Sequence, residues 1–322
     1  MTEIRKVMIT GGHELGGVQS YAEGLAAGFA SHGLEAELLP PGAVWGRVGE
    51  LRDRSILKIL STSAVFAAPF ARRAICTAHG IPRPGAQGWL GMSGVIASYK
   101  LANTVRHARL VAVSDFTALC LRDFFQVKID AVIRNPVKDV YTQGAGTVEV
   151  ERRYLTYAGR LIKVKNVHRV LPLLRVILDE NPGLQVCIIG DGPFRPELEK
   201  LVAGDARFLF QRNSLDDAGV RDVLRRSKVF FSGNGTEGLG ITFLEAMSQG
   251  CVIVMPACGG GIELALDRVG TQVLLMPLSF DAETTRAVFR QALRTACEPF
   301  PIDGYLCRNV AGRYLELGRS FE

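Results

Sequence analysis

The sequence predicts an α/β protein of two doubly wound, Rossmann-like domains that face each other across a cleft. Short apolar segments of strand length alternate with segments whose apolar residues recur at helical spacing, a pattern typical of parallel sheets covered by helices. A turn-rich stretch interrupts this series once, near the middle of the chain. The length of 322 residues fits two domains of about 150 residues each.

The first half of the chain contains five predicted strands and three predicted helices. After the first strand comes a glycine-rich turn, and the helix that follows it ends at Gly33, since glycine is common just past a helix C-terminus. The strands are predicted over 4–10, 35–39, 56–60, 74–78 and 110–113, and the helices over 18–32, near 63–73 and near 93–107.

The second half repeats the alternation after a predicted linker, which begins at Asn135-Pro136 and ends near Gly146. Strands are predicted over 154–158, 185–189, 208–210, 229–232 and 251–255. Helices are predicted near 167–181, 196–202 and 218–226, with a further helix between Gly240 and Gly250. The domain bounds that follow are 1–145 and 146–300, with a closing segment over 301–322.

Composition excludes several classes of protein. A hydrophobic fraction of 48% and a charged fraction of 22% are those of a folded globular chain. We expect no membrane span, because no apolar run is long enough, and no secretory signal, because charged residues precede the first strand. Seven scattered cysteines without a C-x-x-C pair indicate a reducing, cytoplasmic location and argue against a zinc site.

The net charge of +6 is concentrated in the first half. Ten basic side chains lie between Arg47 and Arg109, against only Glu50 and Asp53. This excess is either a solvated basic face or a surface that attracts anionic lipid headgroups or a phosphorylated acceptor. Nucleic acid is not expected as a partner, because the basic stretch lacks interleaved aromatic residues for stacking.

The stretch 237–250, EGLGITFLEAMSQG, carries the most information about function. Glu237 and Glu245 flank a glycine-rich turn that opens a helix, and an apolar strand follows. The first amides of a helix have no intrahelical acceptor, and the helix dipole favours negative charge, so such a turn can bind an anion. Two acids beside an anion site suit a ligand that carries both phosphate and hydroxyl groups, such as a nucleotide sugar.

With these motifs the chain resembles the family 4 retaining glycosyltransferases, whose fold is named GT-B. In the second half, Glu237–Gly250 is similar to the family's E-x7-E motif, Ile188–Pro193 to its I-x-G-x-G-P turn, and Gly159-Arg160-Leu161 with Lys165 to its G-R-L-x-x-x-K-G segment. Asn166 stands where that segment has its last glycine. In the first half the matches are Gly16-Gly17, Thr77–Gly80, Val113–Asp115 and Asn135–Val137, where the family usually has glycine in place of Pro136.

The resemblance implies a role for each charged residue of the second half. Arg160 and Lys165 would hold the diphosphate and stabilise its growing charge as the sugar bond breaks; on spacing alone they could equally be solvated surface charges. Glu245 would accept hydrogen bonds from the ribose hydroxyls. Glu237 would contact and select the donor sugar, although it could also belong to an ordinary helix start.

The resemblance also implies contacts from the first domain and from the backbone. His79 would contact a sugar hydroxyl or the phosphate, whereas a histidine outside the motif would more often be structural. Gly16 and Gly17, and the turn Gly238, Leu239 and Gly240, would let backbone amides approach the donor. His13 and Glu14 could face the acceptor. The domain 1–145 would bind the acceptor, 146–300 would bind the nucleotide-sugar donor, and 301–322 would pack back on the first domain.

The function that this resemblance implies is a retaining, metal-independent transfer of a hexosyl unit from a nucleotide sugar, a UDP-sugar in preference, to a hydroxyl acceptor. The acceptor would be a carbohydrate or a lipid-linked molecule in glycan, lipopolysaccharide or glycolipid biosynthesis, and no cofactor is expected. The predicted helices near 63–73 and 93–107 mix apolar and basic residues, which suits either a covering helix or a peripheral contact with an anionic membrane.

Two other functions stay open on the sequence. A nucleotide-sugar epimerase or an NAD-dependent oxidoreductase would fit a Rossmann-like opening, but Glu14 stands where T-G-x-x-G-x-x-G needs glycine, and no Tyr-x-x-x-Lys pair occurs. A non-catalytic subunit that binds a nucleotide sugar would show the same motif residues as the enzyme.

Overall fold

A computed structural model describes residues 3–11, 16–142, 150–211, 215–257, 259–296 and 298–321 of the chain. The chain divides into two compact units, which are described separately below. Unit 1 comprises Met1–Lys138 and Asp303–Glu322, and unit 2 comprises Asp139–Ile302. The predicted domain bound after residue 145 lies outside the described residues, so it stays a prediction.

Twelve strands and eleven α-helices lie in the described part of the chain. The strands are β1 (Lys6–Thr10), β2 (Glu35–Leu39), β3 (Ile56–Ser61), β4 (Ala74–Ala78), β5 (Ala108–Ala112), β6 (Ala131–Val132), β7 (Tyr154–Ala158), β8 (Gln185–Ile189), β9 (Phe208–Gln211), β10 (Ser227–Phe231), β11 (Val252–Pro256) and β12 (Val273–Met276). The helices are α1 (Gly17–Ala30), α2 (Val48–Arg52), α3 (Pro84–Asn103), α4 (Asp115–Phe125), α5 (Val167–Glu180), α6 (Arg195–Leu201), α7 (Asp217–Arg225), α8 (Ile241–Ser248), α9 (Gly259–Leu264), α10 (Ala282–Arg294) and α11 (Cys307–Arg319). Short 3-10 helices cover Pro41–Gly46, Thr62–Phe70, Asp139–Thr142, Lys163–Lys165, Leu266–Arg268 and Asp303–Tyr305.

Unit 1 is built on a parallel sheet of order β2-β1-β3-β4-β5-β6. The central strands β3 and β4 are buried along their whole length, and all their residues except Lys58, Ser61 and Thr77 are apolar, as expected for a sheet covered on both faces. Helix α11 comes from the end of the chain and packs against α1 so closely that a Cβ at Gly28 would lie 2.1 Å from the carbonyl oxygen of Cys307. Glycine at this position therefore permits the contact between the two helices.

Unit 2 is built on a parallel sheet of order β12-β11-β10-β7-β8-β9. Counted within the unit, this is the order 3-2-1-4-5-6 of dinucleotide-binding Rossmann folds. The chain runs outward from β7 in one direction as far as β9, then returns to place β10 on the other side of β7. Ligands of such sheets bind at the carboxyl ends of the strands where the order reverses, which here is the junction of β7 and β10.

Two helices near the basic stretch differ from the sequence prediction. The segment predicted as a helix near 63–73 is a 3-10 helix over Thr62–Phe70 that includes Pro69 and buries alanines and a valine. It is therefore not an amphipathic surface helix. The helix predicted near 93–107 begins earlier, at Pro84, bends at Gly88 where φ is 70°, and ends at Asn103. Proline at the first helical position explains the early start, because its fixed φ suits a helix N-terminus.

Within the described residues, no helix combines the length and the apolar character that crossing a bilayer requires.

Candidate active site

The junction of β7 and β10 gathers four of the residues singled out from the sequence. Arg160 and Lys165 follow β7, and Glu237 and Gly240 lie between β10 and α8. The two strands are paired in parallel, so the loops that leave their carboxyl ends meet at one edge of the sheet. The E-x7-E motif and the G-R-L segment therefore belong to one place in unit 2.

A glycine contact joins these two loops. A Cβ at Gly233, just beyond β10, would lie 2.8 Å from the carbonyl oxygens of both Lys165 and Asn166. Asn166 Nδ2 also donates a hydrogen bond to the carbonyl of Gly233 over 3.2 Å. The position of Lys165 is thus set by close backbone contact with the loop after β10.

Asn166 explains the one departure from the family's segment. Its φ is 54° and its ψ is 20°, which is the left-handed region. Glycine adopts this conformation without cost, and asparagine is enriched there over most other residues. Asn166 therefore keeps the backbone turn that directs Lys165, and it adds a hydrogen bond that glycine lacks.

Glu237 is held by two donors at a single oxygen. Lys165 Nζ lies 2.7 Å from Glu237 Oε2, and Asn234 Nδ2 lies 2.5 Å from the same atom. The ion pair is three-quarters buried, with side-chain exposures of 24% for Lys165 and 25% for Glu237. Burial is the main cause of the raised pKa of Tyr157, and the negative charge of Glu237 raises that pKa further. A cation and a carboxylate are thus in contact in the loops that leave the carboxyl ends of β7 and β10.

The turn before α8 depends on glycine. Gly240 has φ of 69°, and a Cβ there would lie 2.5 Å from the ring of Phe243. The amide of Gly260 donates to the carbonyl of Glu237 over 3.0 Å, which fixes the start of the turn against α9. Gly238 and Leu239 are buried within this turn. The first turn of α8 is consequently held next to the Lys165–Glu237 pair, where its dipole favours an anion.

Glu245 lies in α8 and is 9% exposed, so it is not an ordinary surface carboxylate. Tyr141 is also buried, and burial is the main cause of its raised pKa. The negative charge of Glu245 raises the pKa of Tyr141 further. Gln249 Nε2 donates to the carbonyl of Tyr141 over 2.6 Å and ties that residue to the end of α8. An ionised carboxylate is an acceptor of hydrogen bonds, so Glu245 is of the residue type that can bind a hydroxyl-bearing ligand.

Arg160 has an exposed side chain and a fixed backbone. Tyr157 Oη donates to the carbonyl of Arg160 over 3.1 Å. On either side, the amide of Gly159 donates to Ile189 and that of Leu161 donates to Asp191, over 3.0 and 2.9 Å. The loop after β7 is therefore anchored to the loop after β8, while Arg160 itself is exposed.

His79 lies in unit 1, directly beyond the end of β4. Its Nε2 is 3.0 Å from Ser61 Oγ, and its ring meets that of Tyr21 edge-on with the centroids 4.5 Å apart. Burial lowers the pKa of His79 to about 4, so the imidazole is neutral near pH 7. The relation of His79 to the residues of unit 2 stays a prediction.

The low pKa of His79 predicts a pH dependence of stability. Between pH 4 and about 6.5 the unfolded chain binds a proton at this residue and the folded chain does not, so this contribution rises with pH. We expect the stability of the wild type relative to His79→Gln to fall by about 3 kcal/mol from pH 7 to pH 4. Urea unfolding of both proteins across this range measures it. Parallel pH profiles would contradict the prediction.

Gly16 and Gly17 open α1, next to the reversal of strand order in unit 1 between β1 and β3. Gly16 is in an extended conformation, and a Cβ at Gly17 would meet no described atom within 4 Å. Nothing within the described protein therefore demands glycine at position 17. His13 and Glu14, considered for the acceptor, lie outside the described residues.

Three residues that the sequence analysis did not single out lie next to the residues described above. Asn234 bonds to Glu237, Tyr141 lies near Glu245, and Ser61 bonds to His79. Only Asn234 had a signal in the sequence, because it lies in a polar turn three residues before Glu237. No group of three potential metal-binding side chains occurs in the described part of the chain. Whether the reaction needs a metal or a cofactor is a separate question, and the expectation of none stays a prediction.

Comparison with known families concerns mainly unit 2. Residues 144–294 match the family model described as Glycosyl transferases group 1. The chain is thus related to glycosyltransferases. This confirms the resemblance at the level of the group, whereas membership of family 4 stays a prediction.

Curated relatives point the same way. The chain is 31% identical over 112 residues to the sulfoquinovosyl transferase SQD2 of Arabidopsis thaliana, which covers 35% of this chain and 21% of that protein. It is 26% identical over 204 residues to the alpha-D-kanosaminyltransferase of Streptomyces kanamyceticus, which covers 56% of this chain and 52% of that protein. The chain thus spans about half or less of the length of these two relatives.

Solved structures establish the fold of this glycosyltransferase relative. Anabaena Alr3699/HepE, solved in complex with UDP and glucose, superposes with a TM-score of 0.69 at 15% identity, covering 98% of this chain and 97% of that one. The prediction of an α/β protein with the GT-B fold is confirmed. The placement of the two units across a cleft stays a prediction.

Proposed function

We propose that this protein is a retaining glycosyltransferase that moves a hexosyl unit from a UDP-sugar to a hydroxyl acceptor. The observation that carries the proposal is the three-quarters buried Lys165–Glu237 pair, held at the β7–β10 junction beside the amide-rich start of α8. A cation and helix amides bind a diphosphate, and a carboxylate binds sugar hydroxyls. One nucleotide sugar would use both.

In this proposal the cations act on the leaving group. The bond from the anomeric carbon of the donor to the diphosphate oxygen breaks, and charge grows on that oxygen. Lys165 and Arg160 neutralise this charge together with the first amides of α8. The acceptor oxygen attacks the anomeric carbon from the same face, and its proton passes to the departing diphosphate. The sugar therefore keeps its anomeric configuration.

In this proposal the two acids bind different parts of the donor. Glu245 accepts hydrogen bonds from the ribose hydroxyls, and its position on α8, the helix that follows the glycine-rich turn, supports this role. Glu237 contacts the donor sugar once the diphosphate competes for Lys165. The related structure with bound UDP and glucose supports UDP and a hexose as the donor components.

Thermal stabilisation by a panel of nucleotides tests the proposal. We expect UDP and at least one UDP-sugar to raise the melting temperature of the full chain, and slow release of free UDP from that sugar to show turnover. Stabilisation by NAD(H) without any effect of UDP would favour the oxidoreductase instead. Binding of a UDP-sugar without turnover, with and without carbohydrate acceptors, would favour the non-catalytic subunit.

A lipid-linked acceptor, met at an anionic membrane from the cytoplasmic side, would complete the proposal. The first sixteen residues of α3, from Pro84 to Tyr99, carry no charge, and Trp89 and Leu90 there are 72% and 91% exposed. Trp45 and Phe70, on neighbouring 3-10 helices, add exposed aromatic surface with ring centroids 6.0 Å apart. Exposed apolar side chains within a basic segment suit an interface of acyl chains and anionic headgroups.

Vesicle binding is expected to depend on these side chains. Replacing Trp89 and Leu90 together by serine should weaken binding to vesicles that contain phosphatidylglycerol by at least 10-fold, since each buried side chain contributes about 1.5–3 kcal/mol. Co-sedimentation measures the effect. The control is Leu266→Ser, which changes a leucine of unit 2 that is 70% exposed. Equal binding of the double variant and the control would exclude α3 as the contact.

A further inference from the structure

The ends of β3 and β4 bring a serine and a histidine together in unit 1. Ser61 is the last residue of β3 and is in register with Thr77 of β4, two residues before His79. Thr62, the next residue, has φ of 55°, which is strained for a β-branched side chain. This turn carries the chain away from the sheet directly after Ser61.

The hydroxyl of Ser61 has a single partner. Ser61 is fully buried, and among the residues that the structure describes its Oγ bonds only to His79 Nε2, over 3.0 Å. The backbone amide of Ser61 is satisfied separately by Thr10 Oγ1 over 2.7 Å. The serine proton therefore cannot reach solvent and has one acceptor within reach.

This arrangement decides the tautomer of the histidine. If Nε2 carried the proton and donated it to Ser61, the buried hydroxyl proton would lack an acceptor, at a cost of about 1–3 kcal/mol. If Ser61 donates to Nε2, the buried hydroxyl is satisfied and the ring proton lies on Nδ1. We propose that Ser61 is a positioning residue that holds His79 as the Nδ1–H tautomer, so that Nδ1 is the ring atom that donates a hydrogen bond to a ligand oxygen.

The ring of His79 is also braced from a second side. Tyr21 packs edge-on against it, and Tyr21 Oη donates to Tyr314 Oη over 2.8 Å. Thr77 Oγ1 lies 3.0 Å from Tyr21 Oη and 3.3 Å from Tyr314 Oη. These three hydroxyl-bearing residues are fully buried, so the Tyr21 ring has little freedom and keeps the imidazole in place.

The identity of the ligand that His79 contacts rests on the proposed function, whereas the tautomer of His79 does not. A neutral imidazole that donates from Nδ1 orients an oxygen and does not exchange protons near pH 7. The low pKa of His79 agrees with this role. Among the described residues Nδ1 makes no hydrogen bond, and the ring is partly exposed.

Nitrogen NMR of the full chain tests the tautomer without any substrate. The protein has five histidines, and the signal lost in His79→Gln assigns the residue. We expect His79 of the wild type at pH 7 to carry its proton on Nδ1. In Ser61→Ala it should shift towards the Nε2–H form, and Ser61→Thr should restore Nδ1–H. The control is Ser98→Ala, which removes a buried hydroxyl that bonds to Val95 and not to histidine.

Kinetics then tests the consequence. Loss of one oriented hydrogen bond in Ser61→Ala should lower kcat/KM for a UDP-sugar by about 10-fold, while Ser98→Ala stays near the wild type. An Nε2–H tautomer in the wild type, or an unchanged Nδ1–H tautomer in Ser61→Ala, would overturn the inference. Should the chain not turn over any sugar, the NMR result still decides the role of Ser61, so the two failures are distinguishable.

Discussion

Lys165→Ala should lower kcat/KM for sugar transfer by about 100- to 1,000-fold, the effect of removing one preorganised group that stabilises charge in a transition state. The ammonium of Lys165 lies beside the helix start where the diphosphate is proposed to depart. Most of the loss should fall on kcat, because charge on the leaving oxygen grows as the bond breaks. Steady-state kinetics with a UDP-sugar measures both constants.

Lys163 provides the matched control for this variant. It belongs to the same 3-10 helix, Lys163–Lys165, and its side chain is exposed. Lys163→Ala removes the same charge from the same segment and should leave kcat/KM within about twofold, since exposed charges are screened by solvent. Similar losses in the two variants would mean that general charge, and not the position of Lys165, matters.

Glu245→Ala should weaken the binding of UDP by about 10- to 100-fold, which corresponds to the loss of hydrogen bonds to a charged group. The reason is the buried position of Glu245 in α8, where its carboxylate would accept hydrogen bonds from both ribose hydroxyls. The wild type should therefore bind UDP more tightly than 2′,3′-dideoxy-UDP, and the variant should bind the two equally. Calorimetry with both nucleotides separates lost ribose contacts from a general loss of structure.

The control for Glu245 is Glu197→Ala, which changes an exposed carboxylate on α6 of the same unit. This variant should keep the preference for UDP over the dideoxy nucleotide. A Glu245→Ala protein that binds UDP with unchanged affinity, or that still distinguishes the two nucleotides, would remove Glu245 from the ribose site.

The central strands and the motif loops were predictable from sequence. The ranges 74–78, 154–158 and 185–189 coincide with β4, β7 and β8, because largely apolar segments bounded by turn residues are a strong signal for buried parallel strands. The range 35–39 also coincides with β2, although β2 is an edge strand that contains two glutamates. Helix α8 was also anticipated between two glycines. The expectation that α8 lies close to the loop after β7 came from the resemblance, because no local pattern connects Lys165 and Glu237, which are 72 positions apart.

The second part of each domain was less predictable. The sequence interpretation stopped at the strand 251–255 and omitted β12 and α10, which complete the sheet of unit 2 and cover it. A signal was present, because Asp281 caps α10 by accepting from the amide of Thr284. The 3-10 helix Thr62–Phe70 had no usable signal, since its alanines suit several conformations and tertiary packing decides among them.

Individual side-chain partners were beyond the sequence. Lys165 and Glu237 were expected to act on different parts of one ligand, but their direct ion pair depends on the left-handed turn at Asn166 and on the absence of a side chain at Gly233. The bond between Ser61 and His79 likewise depends on strand register. Such contacts are decided by tenths of an ångström in backbone position, which residue patterns do not encode.

Unit 1 is assembled from both ends of the chain, and this affects how the protein is made. When residues 1–138 have left the ribosome, α11 has not yet been translated, so the glycine face of α1 and the hydroxyl of Tyr21 lack their cover. All of unit 2 is synthesised before that cover arrives. The nascent protein therefore carries its first domain without the helix α11 for some 160 residues of elongation.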